Sequence, residues 1–419
     1  MTNSGTSVGR TGGRDGTLSS AGTEVDIAII GGGIGGLTLA LALRQHGITA
    51  EVFEQADELR EVGAAVAIAA NGSRILRRLG LGDELAQGAV EPTRLQYRHG
   101  LRGLVVAEHP MGETYTRRFG APFWGIHRAV LQGSLSAAWG AERLHLGRCL
   151  AEVTEAPTGA RLEFRDGTTV RARTVVGADG IRSVVRRALT ASTPVYSGTS
   201  GFRGIVPLRA VPSLPDPAAL QFWMGPGAHL LHYQVGNAVN FLAVLDNPKR
   251  WTAPGGLVEA APGELAAAFA GWHPAVLEMI TAVPQSARWG LFTLPPLHRW
   301  SSGPIVLLGD AAHAMLPHHG QGANQTIEDA AVLARCIAEA GPTQRAQALR
   351  RYERLRRART RAVQRASWDT SAVLHLPDGP AAAARDAQLR GLNERLRWIH
   401  DYDADFTVVG STRATAVRP

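Results

Sequence analysis

The chain has 419 residues, a hydrophobic content of 45% and a formal net charge of +8. That length allows one or two domains with a large core, and the composition is that of a globular chain. No apolar run approaches the roughly 20 residues that cross a bilayer, and two cysteines, Cys149 and Cys336, are too few for a disulfide framework, so a reducing, cytoplasmic setting is expected.

Residues 1–23 are rich in Gly, Ser and Thr, have no apolar stretch, and read as a disordered tail. Residues 25–30 (VDIAII) then form a short apolar, β-branched run, the pattern of a buried parallel strand. The glycine turn Gly31-Gly32-Gly33-Ile34-Gly35-Gly36 follows at once. Gly31 permits the tight turn, Gly33 lets the backbone approach a pyrophosphate, and Gly36 lets a helix sit on the strand. Leu37, Leu39, Ala40, Leu41 and Leu43 predict that helix, closed by Gly47. Its free N–H groups and dipole favour an anion. A second strand over residues 48–53 ends in Glu54, about 20 residues past Gly33, where a carboxylate accepts hydrogen bonds from an adenosine ribose. A lone glycine fingerprint is weak, but strand, glycines, helix, strand and acid together predict a bound dinucleotide.

Further along, residues 173–178 (RTVVGA) read as a strand delivering Asp179-Gly180, followed by a basic helix start over residues 182–187. Residues 201–208, 220–224, 229–235 and 240–245 read as short strands broken by Pro and Gly. In the third of these, His229, Leu231 and Tyr233 share one face at period two and His232 points the other way. Residues 304–308 are another buried strand, delivering Gly309-Asp310-Ala311-Ala312-His313 and then Pro317-His318-His319-Gly320-Gln321-Gly322-Ala323-Asn324. A helix is expected from Asn324, with Glu328 and Asp329 in its first turns as the dipole favours. Asp310 also suits a helix N-cap, a role compatible with cofactor binding. The basic run over residues 350–359 carries Leu349, Tyr352 and Leu355 at a three-residue spacing. It predicts an amphipathic surface helix with a solvated arginine face rather than a nucleic-acid site. The positive balance favours anionic aromatic acids and nicotinamide phosphates.

With these three motifs in this order, residues 24–405 resemble the single-component FAD-dependent aromatic hydroxylases of the para-hydroxybenzoate hydroxylase class. The salicylate hydroxylases and 6-hydroxynicotinate 3-monooxygenases are the nearest groups within it. The resemblance implies an α/β fold: a Rossmann-like FAD-binding domain, an inserted antiparallel β-sheet substrate domain, and C-terminal helices. The flavin part would comprise residues 24–93, 121–199 and 286–345, the substrate part residues 94–120 and 200–285, and the helical region residues 346–419. It further implies that Asp179 serves FAD and nicotinamide, that Asp310 binds the ribityl chain, and that Gly322, Ala323 and Asn324 present backbone N–H groups to the flavin pyrimidine. Arg128 in His127-Arg128-Ala129-Val130-Leu131 would meet the FAD phosphates, with Gln55, Ala67 and Leu150 as further cofactor contacts. His229, Tyr233 and His318 are the expected catalytic residues, and Arg203, His229, Tyr233, Pro317 and His318 the expected substrate contacts.

The implied reaction is hydroxylation of a small phenolic or aminophenolic carboxylic acid, with or without decarboxylation. It would use NADH or NADPH and O₂ through a flavin C4a-hydroperoxide, need no metal, and run in a monomer or homodimer. The protein's share is to exclude water, place the ring and deprotonate a phenol. A histidine near its ordinary pKa of about 6.5 could accept that proton at neutral pH. His313 reads as structural. One departure stands out: after Glu61-Val62-Gly63 the run is Ala64-Ala65-Val66-Ala67, where the hydroxynicotinate enzymes carry a histidine. Alanine at 67 moves no proton, which points to a related but different acid. An epoxidase, an N-hydroxylase or a hydroxylase of a larger polyketide-like substrate remains open, as does a non-catalytic flavin-binding protein.

Overall fold

The structure, a computed structural model, describes residues 23–59, 65–247, 250–283 and 287–405. Residues 1–22 of the expected tail and residues 60–64 lie outside them, while Thr23, assigned to the tail, opens the strand Thr23–Ile30.

Four strands lie side by side and parallel, in the order Ile305–Leu307, Thr169–Gly177, Thr23–Ile30 and Glu51–Phe53. Ile27, Ile29, Val175, Val176 and Ile305 are fully buried, because layers cover both faces of this sheet. Each such side chain contributes about 1.5–3 kcal/mol of burial free energy. One covering layer is the helix Ile34–Gln45, which packs against the helix Gly322–Ala340 so closely that a Cβ on Gly35 would lie 2.2 Å from Thr326 Cγ2. The carboxyl ends of all four strands point the same way. They deliver Gly309-Asp310, Ala178-Asp179, Gly31 and Glu54 to one crevice, the place where open α/β sheets bind ligands. Main-chain hydrogen bonds hold these turns together: Gly31 N donates to Phe53 O at 2.8 Å, Ala178 N to Ile30 O at 2.8 Å, and Leu308 N to Gly177 O at 2.9 Å.

A second, eight-stranded sheet stands over the crevice. Its order is Leu257–Glu259, Ala287–Thr293, Val195–Pro207, Ala238–Asp246, Ala228–Val235, Leu220–Gly225, Arg94–His99 and Val105–Pro110. Two expectations change here. Residues 195–199 and 287–293, assigned to the flavin part, hydrogen-bond into this sheet instead, since the strand from Val195 runs on through the inserted segment. The sheet is also not wholly antiparallel, because Leu220–Met224 pairs parallel with Leu95–His99. One face packs Trp223, Leu230 and Val239 on Phe269, Trp272 and Met279. The other face looks onto the crevice. A small sheet of Ala65–Ile68, Trp124–His127 and Ala89–Val90 closes the side. There Gly125 allows close approach, since a Cβ would sit 2.8 Å from the Tyr233 ring.

The basic run lies in the 30-residue helix Arg345–Leu374. Leu349 and Tyr352 are buried as their spacing predicts, but Arg356 is fully buried too and so does not belong to a solvated face. Its charge is needed inside.

Candidate active site

The glycine turn is shaped for a phosphate. Gly31 has φ +113°, and a Cβ there would lie 2.4 Å from Ala178 O; a Cβ on Gly36 would lie 1.9 Å from Gly31 O. By contrast, a Cβ on Gly33 would meet nothing within 4 Å. Space lies open beside Gly33, next to the unpaired N–H groups that begin the helix at Ile34. Glu54 Oε2 accepts the Gly32 N–H at 2.7 Å and its Oε1 accepts the Ala56 N–H at 3.0 Å. A carboxylate has lone pairs to spare for ribose hydroxyls beyond these. Gln55 is exposed, 3.9 Å from Cys149 Sγ, and the neighbouring Leu150 side chain is buried in the core rather than in the cleft.

From this turn an open cleft runs beneath the second sheet, lined by Gly33, Ala67, Arg128, Asp310, Gly322 and Ala323. Arg128 opens the helix Arg128–Trp139. Asp310 faces the cleft but is walled by protein, which raises its carboxyl above the ordinary range, while His313 and Arg128 pull it back down. Asp179 is also raised by burial, and its Oδ2 accepts the Val184 and Val185 N–H groups at 2.7 and 3.1 Å. That leaves buried Oδ1 with no hydrogen-bond partner among the described residues. Arg186, unread in the sequence, bridges two motifs by donating to Ala311 O at 3.1 Å and Ile181 O at 2.6 Å.

At the far wall the N–H groups of Gly322, Ala323 and Asn324 begin a 19-residue helix and have no partner within it. The Asn324 side chain turns away, accepting from Ala69 N at 2.9 Å and donating to Ala67 O at 3.0 Å and Gly320 O at 2.8 Å. A buried ion cluster fixes this helix. Glu328 and Asp329 sit in its second turn, and Arg356 holds them with contacts of 2.5 and 2.6 Å. Arg359 reaches Glu328 at 2.7 Å, and His313 reaches Asp329 at 2.5 Å. Burial alone would raise both carboxyls, but these partners outweigh it and hold both below the ordinary value. Asp329 also accepts the Gly309 N–H at 3.0 Å, so the cluster positions the turn that carries Asp310. His313 is therefore structural, as its place after the motif suggested.

The roof is set by strand register. Arg203, Leu242 and Leu231 stand opposite one another on three adjacent strands, as do Ile205, Asn240 and Tyr233. Arg203, Leu231, Tyr233, Asn240, Leu242 and Pro317 all line the cleft. The Arg203 guanidinium lies 5.8 Å from the exposed Trp289 ring. Asn240 was missed in the sequence, though a lone amide in the run VNFLAVL is a signal that could have found it. His229 follows Leu231 on the same face, and its ring centroid is 5.2 Å from that of His318. Both rings are buried, 1% and 3% exposed, and neither is among the residues that line the cleft, although Leu231 and Pro317 beside them in the chain are. His318 has no hydrogen-bond partner on either ring nitrogen among the described residues. One expectation is corrected: burial, with His375 and His319 nearby, pushes the His318 pKa down to about 3 rather than leaving it near 6.5. His229 is likewise held well below its ordinary value. His232 faces away, buried on the other side of the sheet.

Comparison with known proteins fits this geometry. The family described as FAD binding domain matches residues 24–250 and 284–367. The 3-amino-4-hydroxybenzoate 2-monooxygenase of Streptomyces cremeus is 40% identical, over 90% of this chain and 95% of its own. The chain belongs to the single-component FAD-dependent aromatic monooxygenases. The 6-hydroxynicotinate 3-monooxygenase of Pseudomonas fluorescens, another relative, is 34% identical over 82% of this chain and 91% of its own. A salicylate hydroxylase solved as a substrate complex superposes with a TM-score of 0.79 at 28% identity, covering 95% of this chain and 100% of that one.

The residues of this monooxygenase fit FAD on its own geometry. The open space beside Gly33, the helix start at Ile34 and the Arg128 guanidinium suit a pyrophosphate, and Glu54 suits the ribose. Asp310 and the helix start at Gly322 line the further reach of the same cleft, where a ribityl chain and a polarised pyrimidine carbonyl would be met. No helix among the described residues is long and apolar enough to cross a membrane, and no metal-holding cluster occurs among them.

Proposed function

We propose that this monooxygenase hydroxylates 3-amino-4-hydroxybenzoate or a close aminophenolic or phenolic carboxylic acid. The observation that carries the reading is the cleft roof. It offers one cation (Arg203), apolar walls for a ring (Leu231, Leu242, Pro317) and two neutral hydrogen-bonding groups (Tyr233, Asn240), with the buried His229 and His318 close to Leu231 and Pro317 in the chain. Arg203 pairs with the carboxylate through a planar fork. Tyr233 and Asn240 hydrogen-bond the ring substituents. His229 and His318 stay uncharged at neutral pH because burial disfavours the imidazolium, so each presents a lone pair to a ring hydroxyl. Removing that proton raises electron density at the adjacent ring carbons. Bound FAD supplies electrons taken from NAD(P)H and activates O₂, one oxygen atom going to the ring and the other to water. The remaining work is positioning and exclusion of water, which the roof and the Ala65–Ile68 strand perform. The named activity of the Streptomyces cremeus relative supports this substrate over a hydroxypyridine. So does Ala67, which offers no polar group to the ring.

The test is NADH and NADPH oxidation by the FAD-loaded protein with a panel of acids, read with mass spectrometry of products. The panel holds 3-amino-4-hydroxybenzoate, 6-hydroxynicotinate, salicylate and 3-hydroxybenzoate. The reading expects a product one oxygen atom heavier from 3-amino-4-hydroxybenzoate, with the carboxyl kept. Turnover of salicylate or 6-hydroxynicotinate alone would overturn the substrate assignment.

A further inference from the structure

We propose that His375 and Asp246 join His229 in a proton relay leading from the cleft-facing side of the second sheet to the protein surface. The inference rests on the reading above, that a ring hydroxyl binds beside His229. His229 Nδ1 lies 2.7 Å from His375 Nε2, and His375 Nδ1 lies 2.6 Å from Asp246 Oδ1. Exposure rises along the chain. The side chain of His375 is 3% exposed and that of Asp246 is 54% exposed, so the far end meets water.

The three groups come from separate elements. His229 is on the strand Ala228–Val235, Asp246 ends the next strand, and His375 follows the long helix Arg345–Leu374. Main-chain contacts hold them in register: Gly227 N donates to His375 O at 3.0 Å and Asp246 N to Gly227 O at 2.9 Å. Those bonds tether the turn to the helix end without the imidazole, so the ring of His375 is not needed as a staple.

Hydrogen-bond logic sets the direction. An ionised carboxylate can only accept, so His375 Nδ1 carries the proton that faces Asp246. Its Nε2 is then an acceptor, which requires His229 Nδ1 to donate. The His229 proton is thereby assigned to Nδ1, and Nε2 is left with its lone pair. An exposed aspartate thus orients a buried base through an intervening ring. The other titratable groups near these rings are His318 and His319.

The transfer balances. The substrate O–H bond breaks and an N–H forms at His229 Nε2. The His229 Nδ1 proton moves to His375 Nε2, and the His375 Nδ1 proton moves to Asp246 and on to water. One proton leaves, no electrons move, and a proton returning by the same path to the product hydroxyl resets the tautomers.

The test follows proton release on mixing FAD-loaded protein with 3-amino-4-hydroxybenzoate at neutral pH, by stopped flow with a pH-indicator dye. The variants are His375→Ala and Asp246→Asn. The relay expects release to slow tenfold or more in His375→Ala and threefold or more in Asp246→Asn, with FAD content unchanged. Added imidazole should restore the rate of His375→Ala only. If His375→Ala loses FAD, the exposed Asp246→Asn variant decides alone. Unchanged release in Asp246→Asn, or a slowed His375→Ala that imidazole does not rescue, would overturn the relay. Wild-type protein that neither releases a proton nor forms product with any acid of the panel would instead overturn the functional reading on which the relay stands.

Discussion

Gly33 and Gly36 occupy one turn, yet replacing each with alanine should fail for opposite reasons. A Cβ at Gly36 would lie 1.9 Å from the Gly31 carbonyl oxygen, so the turn or the helix must move. Such overpacking costs about 1–3 kcal/mol or more. A Cβ at Gly33 meets nothing within 4 Å, and the residue sits at φ −76°, ψ −174°, which alanine adopts without strain. The FAD-free Gly33→Ala protein should therefore be as stable as the parent, or more stable by about 0.4–1 kcal/mol through a stiffer unfolded chain. Its defect should appear only with FAD, because the methyl group takes the space assigned to a phosphate. Loss of one N–H contact to a charged phosphate, about 1.5–3 kcal/mol, weakens FAD roughly 10- to 100-fold. Urea denaturation of the FAD-free proteins and fluorescence titration with FAD read the two effects separately. A Gly33→Ala protein with parental FAD affinity would refute the assignment of that space. One as destabilised as Gly36→Ala would refute the packing argument.

Three further outcomes are expected. Arg356→Ala leaves Glu328 and Asp329 buried with less compensation and should cost about 3–5 kcal/mol. FAD should then leave at lower temperature because the Gly309–Asp310 turn loosens, and an unchanged urea midpoint would contradict this role. Acid should destabilise the protein early: His232, His318 and His400 are pushed down to about 3 and His319 to about 4 by burial. Since the folded-state values are depressed, stability is full above about pH 6.5 and declines as pH falls, by about 2 kcal/mol per histidine at pH 5; equal urea midpoints at pH 7.5 and 5 would sink the point. Arg203→Ala should raise KM for the acid roughly 10- to 100-fold, reflecting about 1.5–3 kcal/mol, and leave an analogue lacking the carboxylate unaffected. An equal loss for both ligands would remove the ion-pair role.

The cofactor half of the site was legible because its signals are local. Each strand that delivers Gly31, Glu54, Asp179 or Asp310 is a short apolar run ending in a turn residue, and the parallel sheet aligns those ends whatever lies between them. The roof was partly legible: period two placed His229, Leu231 and Tyr233 together, and the structure keeps them on the face that looks onto the cleft. What could not be read depended on long-range partners. Arg356 looked solvated because nothing near it in the chain shows that it meets Glu328 and Asp329. His375 follows a helix more than a hundred residues beyond His229, and no periodicity links them. The depressed His318 is likewise a property of its enclosure, not of its neighbours in sequence. The strand from Val195 was misassigned at its start because one continuous strand, Val195–Pro207, belongs to the second sheet along its whole length.

The central claim, that this chain inserts an atom of dioxygen into an aromatic acid held beneath the second sheet, is tested most directly with isotopically heavy O₂. The FAD-loaded protein would turn over 3-amino-4-hydroxybenzoate with NAD(P)H, and the product would be weighed by mass spectrometry. The account predicts a ring-hydroxylated product carrying one heavy oxygen per nicotinamide oxidised. A product with oxygen drawn from water, or nicotinamide oxidation yielding only peroxide with each acid of the panel, would contradict it.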